Sequence, residues 1–277
     1  MEVGDWVITA GDCQDRMDAM APGTVDLVFC DPPYNIDYDY EDCDDSKPAD
    51  VYQAWCGAWL DSVHRVLSPA GSFWLAIGDE YVSELDVLAK TLGFHKRSHV
   101  VWYYTFGVNC SKNFARSHTH LLYYTKHPKK FTFNYKEPAV RVPSARQLIY
   151  KDPRANSAGK LPDNTWVLHR DDLATMFDRG EDTWLESRVA GTFSEREDRG
   201  THGEVRGCPQ MPLAVMDRII LASSNPGDLV LDPMSGTGST GASAIALGRD
   251  FAGFEKCETY VERIKQRLSA IKTREAG

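Results

Sequence analysis

Val25-Asp26-Leu27-Val28-Phe29-Cys30-Asp31-Pro32-Pro33-Tyr34 is a short apolar run closed by a rigid tetrapeptide. Residues 25–30 have the composition of a strand buried on both faces of a parallel sheet. In open α/β sheets, ligands bind just outside the carboxyl ends of such strands. The run therefore predicts that Asp31, Pro32, Pro33 and Tyr34 stand at a binding edge. These residue types suit a planar base with an exocyclic amino group. The carboxylate of Asp31 only accepts hydrogen bonds and takes one amino hydrogen. Two prolines fix the backbone and bring no competing N–H, so the Pro32 carbonyl takes the other. The Tyr34 ring offers a stacking face. The plain alternative is a Pro-Pro turn that only ends a strand.

Outward from this run, strand and helix patterns alternate. Residues 6–8 predict a short strand ending at Gly11-Asp12-Cys13. Tyr52, Trp55, Trp59, Val63, Val66 and Leu67 recur at helical spacing, and Ser68-Pro69-Ala70-Gly71 stops that helix. A strand over 72–77 and a helix marked by Leu85, Leu88 and Leu92 follow. Residues 100–105 and 121–125 are aromatic and β-branched, and predict paired strands. Periodicity is lost over 128–206, which predicts an inserted lobe. It returns with a helix through Leu213, Met216 and Ile220, a strand at 229–231, a loop at 235–240, a helix at 242–247 and a strand at 251–254. A last helix runs through Tyr260, Ile264 and Leu268. This alternation predicts an α/β fold, a doubly wound and mostly parallel sheet with helices on both faces.

The net charge of −9 argues against a nucleic-acid partner until its distribution is considered. From His95 to Arg170 there are 14 Lys and Arg against three acids, a local +11 that leaves −20 for the rest of the chain. Aromatic residues are interleaved through the basic stretch, a composition that suits phosphate contact and base stacking. A solvated basic face beside core aromatics is the simpler alternative. Residues 37–50 are strongly acidic and read as a mobile loop. Seven scattered cysteines with no C-x-x-C pair point to reduced thiols and to no metal site. No apolar stretch is long enough to cross a bilayer, and the N-terminus has no secretory pattern. A cytoplasmic protein is the expectation.

The second motif is Leu231-Asp232-Pro233-Met234-Ser235-Gly236-Thr237-Gly238-Ser239-Thr240-Gly241, with Glu255 after the next strand. Its glycines formally match G-x-G-x-x-G, the pyrophosphate loop of a nicotinamide oxidoreductase. Asp232 at the strand end would repel a pyrophosphate, and that reading gives Asp31-Pro32-Pro33-Tyr34 no task. A carboxylate there suits a cofactor bearing an ammonium, as S-adenosylmethionine does, with Glu255 available to its ribose hydroxyls.

The two motifs and the variable segment between them resemble the β-class DNA amino-methyltransferases, over residues 5–127 and 207–270. The resemblance implies the seven-stranded methyltransferase sheet with an inserted target-recognition lobe. It divides the chain into a catalytic half (1–127), the insert (128–206) and a cofactor half (207–277). It implies S-adenosylmethionine as methyl donor and a flipped-out DNA base as acceptor. Adenine N6 is favoured by Asp at the first motif position, where cytosine N4 enzymes more often have Ser; enzymes that modify glutamine side chains usually carry Asn there. Carried over by position, Asp31, Pro32, Pro33 and Tyr34 are the catalytic set. Asp12, Cys13, Asp31, Met211, Asp232, Met234, Ser235, Gly236, Thr237, Gly238 and Glu255 line the cofactor site. Asp12 reads equally well as a helix N-cap, and Met211 stands where the family often has Lys. The implied partners are double-stranded DNA, a second copy of the chain and a cognate restriction endonuclease, at the nucleoid of a prokaryote or phage-infected cell.

Overall fold

The computed structural model describes residues 4–38, 44–104, 111–112, 114–166 and 210–275. Among them eight strands form one sheet: β1 Trp6–Ala10, β2 Val25–Cys30, β3 Leu67–Ile77, β4 His95–Tyr103, β5 His118–Thr125, β6 Thr165–Trp166, β7 Leu229–Asp232 and β8 Asp250–Glu255. The helices are α1 Cys13–Asp18, α2 Ala49–Val66, α3 Val82–Thr91, the single turn α4 Ala145–Leu148, α5 Leu213–Ser223, α6 Ser239–Ala246 and α7 Glu258–Glu275. Strand order is β1-β8-β7-β2-β3-β5-β4-β6. Pairing is parallel from β1 through β3, and antiparallel between β3 and β5 and between β5 and β4. Seven strands carry the sheet, as expected; the two-residue β6 adds parallel to β4 at the edge.

Alternation along the strands explains why both faces are covered. Leu27 and Phe29 of β2 enter a cluster with Val215, Met216 and Ile219 of α5, Ile245 of α6 and Ile264 of α7. Val28 and Cys30 enter the opposite cluster, with Met17 of α1, Trp59 and Val63 of α2 and Leu85 of α3. All four β2 residues are at most 1% exposed, so the apolar run is one that only a doubly covered central strand can hide.

Three local expectations are revised. Ser68-Pro69-Ala70-Gly71 follows the end of α2, yet it belongs to β3. The ladder jumps from Val25↔Leu67 to Leu27↔Ser72, so the four residues bulge out of the pairing. β4 begins at His95, five residues before the apolar run, because His95-Lys96-Arg97-Ser98-His99 is polar and still pairs with β5. The acidic loop is the third. Asp45 is 4% exposed, and its carboxylate accepts the backbone N–H groups of Asn35 (2.6 Å), Ile36 (3.1 Å) and Tyr38 (3.0 Å). Residues 44–48 are therefore tied to the chain that leaves β2; residues 39–43 lie outside the described residues.

Candidate active site

β1, β8, β7 and β2 are parallel neighbours, so their carboxyl ends share one edge of the sheet. In that order the ends carry Asp12, Glu255, Asp232 and Asp31, on strands spaced about 4.8 Å apart. The order of strand addition diverges here: β2 leads through α2 to β3 on one side, and β7 leads through α6 to β8 on the other. This is the topological switch point at which open sheets bind ligands. The two motifs, about 200 residues apart in sequence, thus meet across the β2–β7 pair.

The glycine loop is built on the ends of β7 and β8. Ser235 N–H donates to the Phe254 carbonyl (2.9 Å), and Gly236 N–H donates to Glu255 Oε2 (2.8 Å). A Cβ on Gly253 would come within 2.5 Å of Ser235 Oγ and 2.8 Å of Ile8 Cδ1, so a larger residue there would displace those side chains. Gly238 turns the chain into α6 with φ +77°. Thr240 Oγ1 donates to Asp232 Oδ2 (2.6 Å) and Met234 N–H to Oδ1 (3.1 Å). Glu255 Oε1 accepts Cys257 N–H (2.9 Å). Gly11 N–H donates to the Glu255 carbonyl (2.9 Å), which brings the Asp12 turn to the same place. Asp12 is the N-cap of α1, accepting Gln14 N–H at 2.9 Å, and it remains exposed.

The charge balance of this edge has a clear consequence. Burial pushes the Asp232 carboxyl up to about 7, and the nearby charges of Asp31 and Glu255 push in the same direction. A ligand carrying positive charge relieves that repulsion, whereas a pyrophosphate would add to it. Cys13, under α1, is pushed up to about 12 by burial first and then by Asp12. Cys30 is also raised far above the thiol range, by burial and then by Asp232. Both stay as thiols, so neither is a nucleophile.

The tetrapeptide after β2 is held from both sides. Tyr34 Oη donates to Asp31 Oδ1 (2.7 Å), fixing the carboxylate. Tyr52 Oη donates to the Pro33 carbonyl (2.7 Å) from α2. Burial raises the Tyr52 hydroxyl further above its usual range, so it remains a donor. Asn35, in the left-handed region at φ 57°, bonds both ways to Lys47 and donates to Tyr81 Oη (2.9 Å). Sequence reading placed Tyr52 among core residues and missed Asn35 and Asp45. Asn directly after the Asp-Pro-Pro-Tyr tetrapeptide, tolerant of positive φ, is the one local signal. Tyr52→Phe is expected to cost about 1–3 kcal/mol of stability by stranding the Pro33 carbonyl. The same change should lower turnover about tenfold through misplacement of Asp31, with cofactor affinity unchanged; denaturant melts and steady-state rates check this.

Met211 is 8% exposed and shares the apolar cluster of Leu27 and Phe29, the residues leading to Asp31. Its role as side-chain ligand gains nothing from that burial. The basic stretch is also partly spent on structure. Arg97 donates to Thr125 Oγ1 and the His127 carbonyl, Lys126 to the Leu67 carbonyl, and Arg141 to the carbonyls of Tyr135 and Ala158. Lys96 pairs with Asp86. Phe114, Tyr135 and Tyr150 stand exposed on the same part of the chain. Asn134, inside the expected insert, donates from its side chain to the carbonyls of Leu221 (2.9 Å) and Ser224 (2.7 Å) at the end of α5. Residues 167–206 of that insert lie outside the described residues, as do Cys208 and Pro209.

Comparison with known proteins gives the same picture. A family model described as DNA methylase, of the N6 and N4 class, matches residues 25–266. The chain is 34% identical over 248 residues to type II methyltransferase M.HpaI of Haemophilus parainfluenzae, covering 89% of this chain and 69% of that one. It is 32% identical over 267 residues to DNA adenine methyltransferase YhdJ of Escherichia coli (strain K12), covering 94% and 82%. Among solved structures, a DNA modification methylase of Thermus thermophilus complexed with S-adenosyl-L-methionine aligns with TM-score 0.61 at 19% identity, over 97% of this chain and 96% of that one. The cytosine-N4-specific PvuII DNA methyltransferase aligns with TM-score 0.61 at 15% identity, over 99% and 93%. At those identities the likeness is one of fold.

Proposed function

This chain belongs to the N6/N4 family of DNA methylases, and from that premise we propose that it methylates N6 of adenine in a specific double-stranded sequence. Its cofactor is S-adenosylmethionine, and its substrate is DNA. Adenine is supported by Asp at the first motif position and by the adenine-specific name of a relative 32% identical; cytosine N4 is the alternative. The observation that carries the reading is the convergence of Asp31, Asp232 and Glu255 on one edge, where burial first and then Asp31 and Glu255 raise the cost of ionising Asp232.

The residues fit the cofactor. The acidic edge suits its positive charges, and the glycine loop begins directly after Asp232. We assign Asp232, Met234, Ser235, Gly236, Thr237 and Gly238 to its methionine side, Glu255 to the ribose, Asp12 and Cys13 to the adenine side, and Met211 and Asp31 to the remaining wall. When bound, it supplies an electrophilic methyl group. Asp31, oriented by Tyr34, accepts one hydrogen of the target amine, and the Pro32 carbonyl accepts the other. The lone pair of an aryl amine is delocalised into its ring. Two acceptors on its hydrogens favour a pyramidal nitrogen with that pair freed for attack. Most of the rate gain comes from positioning and electrostatics. The base must leave the duplex to reach this edge, at a cost of a few kcal/mol.

The division into a catalytic half (1–127), a target-recognition insert (128–206) and a cofactor half (207–277) belongs to this proposal. It is supported by the order of the motifs. A cognate restriction endonuclease is supported by the type II name of M.HpaI; a homodimer on DNA, and residence at the nucleoid, are tested by sizing and by localisation. No described helix is long and apolar enough to cross a membrane. Treating DNA with the protein and S-adenosylmethionine, digesting it and weighing the nucleosides tests the base. The expected product is N6-methyladenine; N4-methylcytosine would overturn the adenine assignment.

A further inference from the structure

Beside the catalytic edge, β3 and β5 bring together a group of side chains that methyl transfer does not use. The antiparallel register pairs Ile77 with His120, so Asp79, two residues beyond β3, falls beside His118 on the same face. Asp79 Oδ1 lies 2.8 Å from His120 Nε2 and 2.9 Å from His118 Nε2, and the two nitrogens are 3.3 Å apart. On the neighbouring strand His99 Nε2 lies 2.8 Å from His120 Nδ1. Arg116 stands 3.8 Å from the other oxygen, Asp79 Oδ2, and pairs with Glu80.

We propose that Asp79, His118 and His120 form a binding site for a divalent first-row transition ion, with zinc as its reference occupant. Two imidazoles and one carboxylate, with an open position, are a donor set such ions take. At bond lengths of about 2.0–2.1 Å, ligand atoms of a tetrahedral site lie about 3.3 Å apart. The nitrogen–nitrogen edge already has that length, and the two nitrogen–oxygen edges need to open by about half an ångström. Both imidazoles turn the same ring atom onto one oxygen, so in a purely hydrogen-bonded cluster two protons converge there; one cation replaces both. His99 supplies the supporting contact of a ligating histidine. With an ion on His120 Nε2, the His120 proton sits on Nδ1, where His99 Nε2, 2.8 Å away, can accept it. His118 and Asp79 are 30% and 40% exposed at their side chains, so an ion has a path in. Gly78, next to Asp79, packs on Tyr34: a Cβ there would lie 3.0 Å from the ring. An ion at this place braces the end of β3 against the catalytic tetrapeptide.

The test uses the full chain after chelator dialysis, titrated with Co2+ as a spectroscopic probe and with Zn2+ by calorimetry. One Co2+ per chain is expected, with visible d–d bands and no thiolate charge-transfer band, which separates this site from the cysteines. Zn2+ should displace it, and should raise the Tm by about 5 °C at a hundredfold excess over Kd. His118→Ala and His120→Gln should each weaken binding at least hundredfold, and His99→Ala about tenfold or more. His118 is partly exposed, so His118→Ala is expected to keep the metal-free Tm and the cofactor affinity of the parent. Absence of saturable binding, or binding that His118→Ala leaves unchanged, would mean a network of hydrogen bonds only and would overturn the proposal.

Discussion

Asp31→Ala is expected to lower methyl transfer about a thousandfold while the Kd for S-adenosylmethionine stays within about threefold. The loss follows from the role of Asp31 as an acceptor aimed at charge that develops only as the amine attacks; removing one such partner in other enzymes costs about a hundred- to a thousandfold. Cofactor affinity is spared because the glycine loop is built by Asp232, Glu255 and the end of β8, not by Asp31. Tyr34→Phe is a milder form of the same change. It keeps the ring and removes only the hydroxyl that holds Asp31 Oδ1, so about a tenfold loss is expected. Transfer of a labelled methyl group into DNA, beside calorimetry of cofactor binding, measures both quantities. Turnover of Asp31→Ala within tenfold of the parent would remove Asp31 from the chemistry.

The second large effect concerns pH. The Asp232 carboxyl, ordinarily near 3.8, is held up to about 7 by burial and by its acidic neighbours. Below that value it is protonated and offers a cationic ligand no charge. Cofactor affinity should therefore rise with pH through about 7 and level off above 8, weakening about tenfold per unit on the acid side. The stability of the ligand-free protein is expected to follow the opposite trend. An acid whose folded pKa is raised contributes stability that is full below about 4 and lost as pH climbs towards 7, because the unfolded chain has already released that proton. Asp232→Asn should flatten both profiles and weaken cofactor binding ten- to a hundredfold, in the range of a charge-assisted hydrogen bond. Calorimetric titrations from about pH 5.5 to 8.5 read this directly.

The central part of the fold was legible because its signals are local. An apolar run with no polar alternation reads as a doubly covered strand, and Asp-Pro-Pro-Tyr and the glycine loop are words whose chemistry lies within a few adjacent residues. The meeting of the two motifs is set by strand order, which places β7 beside β2 and which alternation alone does not fix. What escaped was whatever depends on a distant partner. Asp45 is one acid in a run of acids, and nothing near it in sequence marks it as the one that collects the amides of Asn35, Ile36 and Tyr38. Tyr52 carries a helical core spacing, and its bond to the Pro33 carbonyl appears only once α2 is laid beside β2. The first half of β4 is polar because it lies near the sheet edge, so an apolar criterion starts it too late. The basic stretch misled in degree. Arg97, Lys126 and Arg141 look like phosphate ligands in sequence, and they bond backbone carbonyls in the fold. The salt dependence of DNA binding should accordingly be shallower than 14 basic residues would give.

The claim on which all of this depends is that the two motifs make a single cavity, with Asp31 close enough to Asp232 to oppose its ionisation. The most direct measurement is the pH midpoint of S-adenosylmethionine binding in Asp31→Asn. With one cavity, removing the Asp31 charge moves that midpoint to lower pH by about half a unit. A midpoint that stays at the parent's value would contradict it.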